Sequence, residues 1–316
     1  MAAVVSASAQ WQAAFDTRAA IESQHSSNKS LSCMFYRRFR ARGAALGRQL
    51  HVLYCDNHVI AVEKEAGVPV VPDSSRDRSL LEEAKAWVKE KYSKPGAVFL
   101  GVVHRLDRPA SGVVVFGRTS KGASRLSASF RERRAQKVYL ARSARTLPAD
   151  LAERCDGGAC VELEQWLLKD RDANRVALVE PGSAGAKRAE TRLALLQPRP
   201  QRQQRGGSGS DHASGTLLKL EPITGRSHQL RVACASLGLP LLGDIKYGCR
   251  RPLEGGRAIA LHAVELRVPH PVRPHELLRI CSQALPAWAA GYNFDDDPED
   301  AGLDRSREDL GHDRTT

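Results

Sequence analysis

Short apolar runs cut apart by turn residues recur along most of this chain, and they restrict it to a sheet assembled largely from hairpins. Residues 50–55 read as a strand, Asp56-Asn57 as a turn, and residues 59–62 as the returning strand. Further strands are predicted at 98–103, 113–117, 137–141, 160–168, 175–179, 189–196, 216–220, 259–268 and 277–281. Three stretches carry a helical period instead. In 80–92, Leu80, Leu81, Ala84, Trp87 and Val88 share one face, and Ser79 with Glu82 has the form of a capping box. A second helix starts at Thr119 or Ser120 and runs to about Arg134, with Leu126 and Phe130 turned inward. A third spans about Arg226 to Leu237 and stops at Gly238. Many strands with few helices among them predict an α+β fold: a mixed, mostly antiparallel central sheet with flanking helices and a cleft.

The domain plan follows from composition. Residues 1–48 are rich in Ala, Ser and Arg, carry a net charge of +5, and show no sustained period. That is the make-up of an organellar transit peptide, for plastid or mitochondrion, or of a basic arm that touches RNA. Residues 49–293 form the folded body, interrupted at 198–214 by a Gln-, Arg-, Gly- and Ser-rich insertion that buries too little to order itself. Residues 294–316 are an acidic tail with a net charge of −6. Of the total of +12, the body therefore holds +13. A folded surface that basic points to a polyanionic partner, with nucleic acid the foremost. No apolar run approaches the roughly 18 residues of a membrane span. The seven cysteines are scattered and never spaced C-x-x-C. They are expected to be reduced thiols, with no structural metal.

Chemistry is concentrated in three strings. The first is His104-Arg105-Leu106-Asp107-Arg108-Pro109-Ala110-Ser111-Gly112, directly before the apolar run Val113-Val114-Val115-Phe116. It sets a carboxylate among arginines on a loop at a sheet edge, where cations favour its ionised form. The second is Lys137-Val138-Tyr139-Leu140-Ala141, a strand with Lys137, Tyr139 and Ala141 on one face. The third is Thr224-Gly225-Arg226-Ser227-His228-Gln229-Leu230-Arg231, a glycine turn opening a polar helix. Taken singly, each has a plain reading: a salt bridge at a strand entry, a packed tyrosine, a solvated arginine.

Together and in this order the strings resemble the RluA-type RNA pseudouridine synthases, which carry H-R-L-D-x-x-x-S-G, K-x-Y-x-A and T-G-R-x-H-Q-[LI]-R motifs. Leu53-Tyr54-Cys55-Asp56, Gly243-Asp244-Ile245-Lys246-Tyr247-Gly248 and Leu261-His262-Ala263 add weaker matches. The resemblance covers about residues 50–288. Three departures stand out. Ala110 replaces a usual Thr, and Glu63 and Glu65 flank Lys64 where the family prefers N-K-P.

The resemblance implies the pseudouridine synthase fold and an isomerase that turns a uridine of structured rRNA or tRNA into pseudouridine. It implies Asp107 as the essential carboxylate, Arg226 as the cation that orients it, and Tyr139 as the residue stacking on the base. Arg105 would fill the space the flipped base leaves. His104, Arg108, Lys64, Lys137, His228, Gln229 and Arg231 are expected to bind substrate. The reaction is redox-neutral, so neither cofactor nor metal is expected, and the partner is RNA, with the chain a monomer and no membrane involved. The alternative is a catalytically inactive RNA-binding or chaperone protein on the same scaffold; retention of Asp107, Tyr139 and Arg226 argues for the enzyme.

Overall fold

A computed structural model describes residues 50–154, 160–196 and 215–289. The basic extension, the 198–214 insertion and the acidic tail lie outside them. Among the described residues, eleven strands form one sheet. They are β1 (Val52–Cys55), β2 (Val59–Lys64), β3 (Gly101–Val102), β4 (Ser111–Gly117), β5 (Gln136–Arg142) and β6 (Val161–Asp170), followed by β7 (Arg175–Val179), β8 (Lys187–Leu196), β9 (Leu217–Pro222), β10 (Leu261–Pro269) and β11 (Leu277–Cys281). The order across the sheet is β1-β2-β4-β10-β5-β9-β8-β6-β7, with β3 on β4 and β11 on β10. Only β4 and β10 run parallel; the other pairs are antiparallel. The mixed, mostly antiparallel α+β reading holds.

Four helices pack on this sheet: α1 (Leu80–Lys91), α2 (Ser120–Arg131), α3 (Ala149–Arg154) and α4 (Gln229–Ser236). The capping box of α1 forms as the sequence predicts, with Glu82 N–H donating to Ser79 Oγ and Ser79 N–H donating to the Glu82 carboxylate at 2.8 Å. Strands β2 and β4 are buried on both faces, which is why they read as unbroken apolar runs rather than alternating ones. Ile60, Val62, Val114 and Phe116 pack with Leu80, Ala84 and Val88 of α1 on one side. Val59, Ala61, Val113 and Val115 pack with Leu126 of α2 on the other. Each such side chain contributes roughly 1.5–3 kcal/mol when fully buried.

One edge of β4 is shared, and this decides where the cleft lies. At its C-terminal end Phe116 and Gly117 pair with β3. At its N-terminal end Ser111 and Gly112 pair with His262 and Ala263 of β10. Strand β3 is therefore much shorter than the 98–103 run suggests, because β10 takes over the hydrogen-bonding edge. The takeover requires Gly112: its φ is +113°, and a Cβ there would lie 2.2 Å from the Ala263 carbonyl oxygen. The segment joining β3 to β4 leaves the sheet at this fork.

Helix α4 also departs from expectation. It starts at Gln229 rather than Arg226 because His228 adopts a left-handed backbone, φ +50° and ψ +18°. Its end agrees with the sequence, with Gly238 at φ +74° following the last turn.

Candidate active site

Asp107 lies in the segment that leaves β3 at the fork. Its backbone is anchored just downstream. Lys64, the last residue of β2, is wholly buried, and its ammonium donates to the carbonyls of Glu65 at 3.0 Å, Arg108 at 2.9 Å and Ala110 at 2.5 Å. The Ile259 N–H donates to the Pro109 carbonyl at 3.0 Å. Lys64 thus fixes the loop from beneath, which corrects the expectation that it contacts substrate.

Cross-strand register brings the tyrosine in. Gly112, Ala263, Tyr139 and Leu220 lie in one row across β4, β10, β5 and β9. Tyr139 is 8% exposed, and burial together with the Asp107 charge pushes its phenol above the usual range, so it stays protonated. Its hydroxyl makes no hydrogen bond among the described residues, leaving it available to a ligand. Two residues earlier, Lys137 donates to the Thr224 carbonyl at 3.4 Å, and burial pushes its ammonium down to about 8.

The cation on Asp107 is Arg231. Its Nη1 donates to Asp107 Oδ2 at 3.2 Å, while Nε and Nη2 grip Asp244 at 2.7 and 2.8 Å. The guanidinium also lies over the Tyr247 ring, 4.9 Å from its centroid. Arg231 and Asp244 are buried. Asp107 keeps about a quarter of its side chain exposed, enough to meet a ligand. Arg226, expected in that place, is exposed, and its Nε donates to the Arg188 carbonyl at 2.9 Å. The left-handed turn at His228 explains the correction: with the helix starting three residues later, Arg231 and not Arg226 projects toward the loop.

Three other expectations change as well. His104 is structural. The Val115 N–H donates to His104 Nε2 at 3.0 Å, and the ring stacks on Phe130 at 4.7 Å. Burial, aided by the Lys137 charge, depresses its pKa to about 3, so it is neutral. Arg108 turns away from the cleft, donating to the Gly67 carbonyl at 3.0 Å and pairing with Asp73 and Asp77. Gln229 spends its whole amide on the turn: Oε1 accepts from Thr224 Oγ1 and Arg226 N–H, and Nε2 donates to the Glu190 carbonyl and Thr191 Oγ1. Arg105 is exposed and makes no hydrogen bond or ion pair among the described residues, as a side chain waiting for a partner would.

The sequence profile of the RNA pseudouridylate synthase family matches residues 58–236, which hold Asp107, Tyr139 and Arg231. The chain belongs to that family. It is 32% identical to the dual-specificity RNA pseudouridine synthase RluA of Haemophilus influenzae, over 71% of this chain and 88% of that protein. It is 34% identical to the Escherichia coli RluA, over 70% and 88%. With the ribosomal large subunit pseudouridine synthase C of Vibrio vulnificus the identity is 30% over 70% of this chain, which spans 61% of that relative's length. In fold, the human RNA pseudouridylate synthase domain containing 4 is similar, with a TM-score of 0.55 and 23% identity, covering 75% of this chain and 89% of that one.

Within this family frame, two residues join the site that sequence reasoning left without a role. Asp244 holds Arg231, and Tyr247 roofs it. Both fall in the Gly243-to-Gly248 segment, whose signal was its motif match; nothing in its spacing to Asp107 announces the contact. His228 closes the group, its Nδ1 lying 2.7 Å from the Tyr247 hydroxyl.

Proposed function

We propose that this chain isomerises a uridine of structured RNA, ribosomal or transfer, to pseudouridine, with Asp107 as the essential carboxylate. The observation that carries the reading is the Arg231–Asp107 ion pair beside a protonated, unpartnered Tyr139 hydroxyl. A protein that only bound RNA would gain nothing by aiming a carboxylate at a polyanion.

In the reaction the N1–C1′ bond breaks, the base turns, and a C5–C1′ bond forms. The proton on C5 is lost and N1 finishes with one, so atoms and electrons balance without any oxidant. Asp107 acts on the sugar, as nucleophile at C1′ or as base, and Arg231 keeps the carboxylate aimed. Tyr139 stacks on the base and is placed to relay the proton from C5. A uridine inside a stem is unreachable, so it must be extruded at a cost of a few kcal/mol. The exposed Arg105 guanidinium, two residues from Asp107 on an extended segment, is placed to fill the vacancy. The relatives named for the large ribosomal subunit favour ribosomal RNA as the first substrate to try.

The +13 charge of the body supports RNA as the partner, and the chain is proposed to act as a monomer. Residues 1–48 are proposed to direct import into an organelle. The test of the function is to map pseudouridines in total RNA from cells with and without the gene. Loss of one or a few defined sites is expected, restored by the wild-type gene; an unchanged map contradicts the proposal.

A further inference from the structure

His228 is the one residue of the site whose backbone sits where an L side chain rarely goes, at φ +50°. Strained positions of this kind in a cleft point to what their side chains do. The hydrogen bonds around it favour one ring tautomer. The Val176 N–H donates to the Tyr247 hydroxyl oxygen at 2.9 Å, so the hydroxyl proton is free to donate elsewhere. His228 Nδ1 lies 2.7 Å from that oxygen, within reach of the hydroxyl proton. An imidazole that accepts at Nδ1 and is neutral must bear its hydrogen on Nε2. Burial and the neighbouring cations Arg231, Lys246 and Lys169 keep the ring neutral despite the opposing charge of Asp107. Nε2 makes no hydrogen bond among the described residues, and His228 is half-buried. In that tautomer an unpartnered donor lies within the electrostatic reach of Asp107.

The surroundings say what it would receive. Lys169, near the tip of the β6–β7 hairpin, donates to Ser227 Oγ at 3.4 Å, directly before His228. Lys246 donates to the Asn174 carbonyl at 2.8 Å in the turn of the same hairpin. Arg175 leans over the Tyr247 ring at 5.7 Å. Asp107, whose charge acts on the ring, is ion-paired with Arg231, which also holds Asp244. A neutral N–H donor with the cations Lys169, Lys246 and Arg231 near it, and with the adjoining carboxylate held in an ion pair, suits an oxyanion and not a base edge.

We propose that His228 Nε2–H, flanked by Lys169 and Lys246, receives a non-bridging phosphate oxygen of the RNA backbone adjoining the target uridine. The inference rests on the RNA-isomerase reading above and adds to it a phosphate subsite with a fixed tautomer, set by Tyr247.

The test is a cycle between protein and RNA. The probe is a short synthetic RNA spanning the uridine that wild-type protein converts, with one phosphate at a time, on either side of that uridine, replaced by a methylphosphonate. The protein variant is His228→Asn, which tolerates the left-handed backbone but is too short to present a donor at the Nε2 position. Its melting curve against wild type guards against misfolding. Each change alone should weaken RNA binding roughly tenfold, as for a hydrogen bond to a charged group. At one phosphate position the two changes together should cost no more than either alone. A parallel pair, Lys169→Ala and Lys246→Ala, should each reduce the salt dependence of binding by about one phosphate equivalent. If the losses multiply at every position, the inference is wrong although the functional reading stands. If wild-type protein converts no uridine in any RNA, the functional reading fails and the inference falls with it.

Discussion

Asp244 grips Arg231 at two points, Nε at 2.7 Å and Nη2 at 2.8 Å, and so leaves a single guanidinium nitrogen to face Asp107. The buried aspartate sets the direction of the arginine, and the arginine sets the direction of the carboxylate proposed to do the chemistry. Asp244→Asn keeps the shape but loses the second charge-assisted bond. Removing charge from a buried pair costs about 3 kcal/mol. Turnover should fall on the order of 100-fold, as expected when a catalytic group drifts by about an ångström. KM for RNA should change far less. Steady-state kinetics beside a urea melt would separate the two effects.

Arg231 and Arg226 make opposite forecasts. Arg231→Lys retains the charge but cannot span two carboxylates with a planar fork. It should lose turnover on the order of 100-fold. Arg226→Ala removes an exposed side chain resting on the Arg188 carbonyl. Its turnover at saturating RNA should stay within about threefold of wild type, with some loss of affinity. Single-turnover rates at saturating RNA test both; equal losses in the two variants would mean that Arg231 matters no more to turnover than Arg226.

Lys64 holds three carbonyls with one buried ammonium. Lys64→Met fills the space but strands those acceptors, two of which belong to the Asp107 loop. Stability should drop by about 3 kcal/mol or more, since each buried group left without a partner costs about 1–3 kcal/mol. Chemical denaturation measures it. A variant as stable as wild type would mean the loop is held by something else.

His104 predicts a pH dependence. Its folded pKa, about 3, lies below the ordinary 6.5 because burial, and then the Lys137 charge, disfavour the protonated ring. The unfolded chain therefore binds the extra proton first, and stability from this group is present above pH 6.5 and lost as pH falls toward 3. The loss amounts to at most about 1.4 kcal/mol per pH unit. His104→Gln keeps an acceptor without the titration. The stability advantage of wild type over this variant should shrink between pH 6 and pH 4; a constant difference would contradict the assignment.

Much of this architecture is legible in the sequence because strands and caps are local. The capping box of Ser79 and Glu82, the apolar β4 run and the Gly238 helix stop depend on a few adjacent residues, and they form as read. What is not legible is long-range partnership. Arg105 and Arg108 neighbour Asp107 in sequence, yet the cation that reaches it is 124 residues away. Phase misled as well. The third motif carries two arginines, and the helix that opens at Gln229 turns Arg231 and not Arg226 toward Asp107; no propensity foretells the left-handed histidine before it. Lys64 reads as a substrate contact until β2 proves to be an internal strand buried on both faces.

The central claim is that one carboxylate does the chemistry, and Asp107→Asn tests it most directly. Pseudouridine formed in the converted RNA, measured by mass spectrometry, should fall below detection for the variant while its RNA affinity stays within a few-fold of wild type. Product accumulating at a rate comparable to wild type would contradict the account.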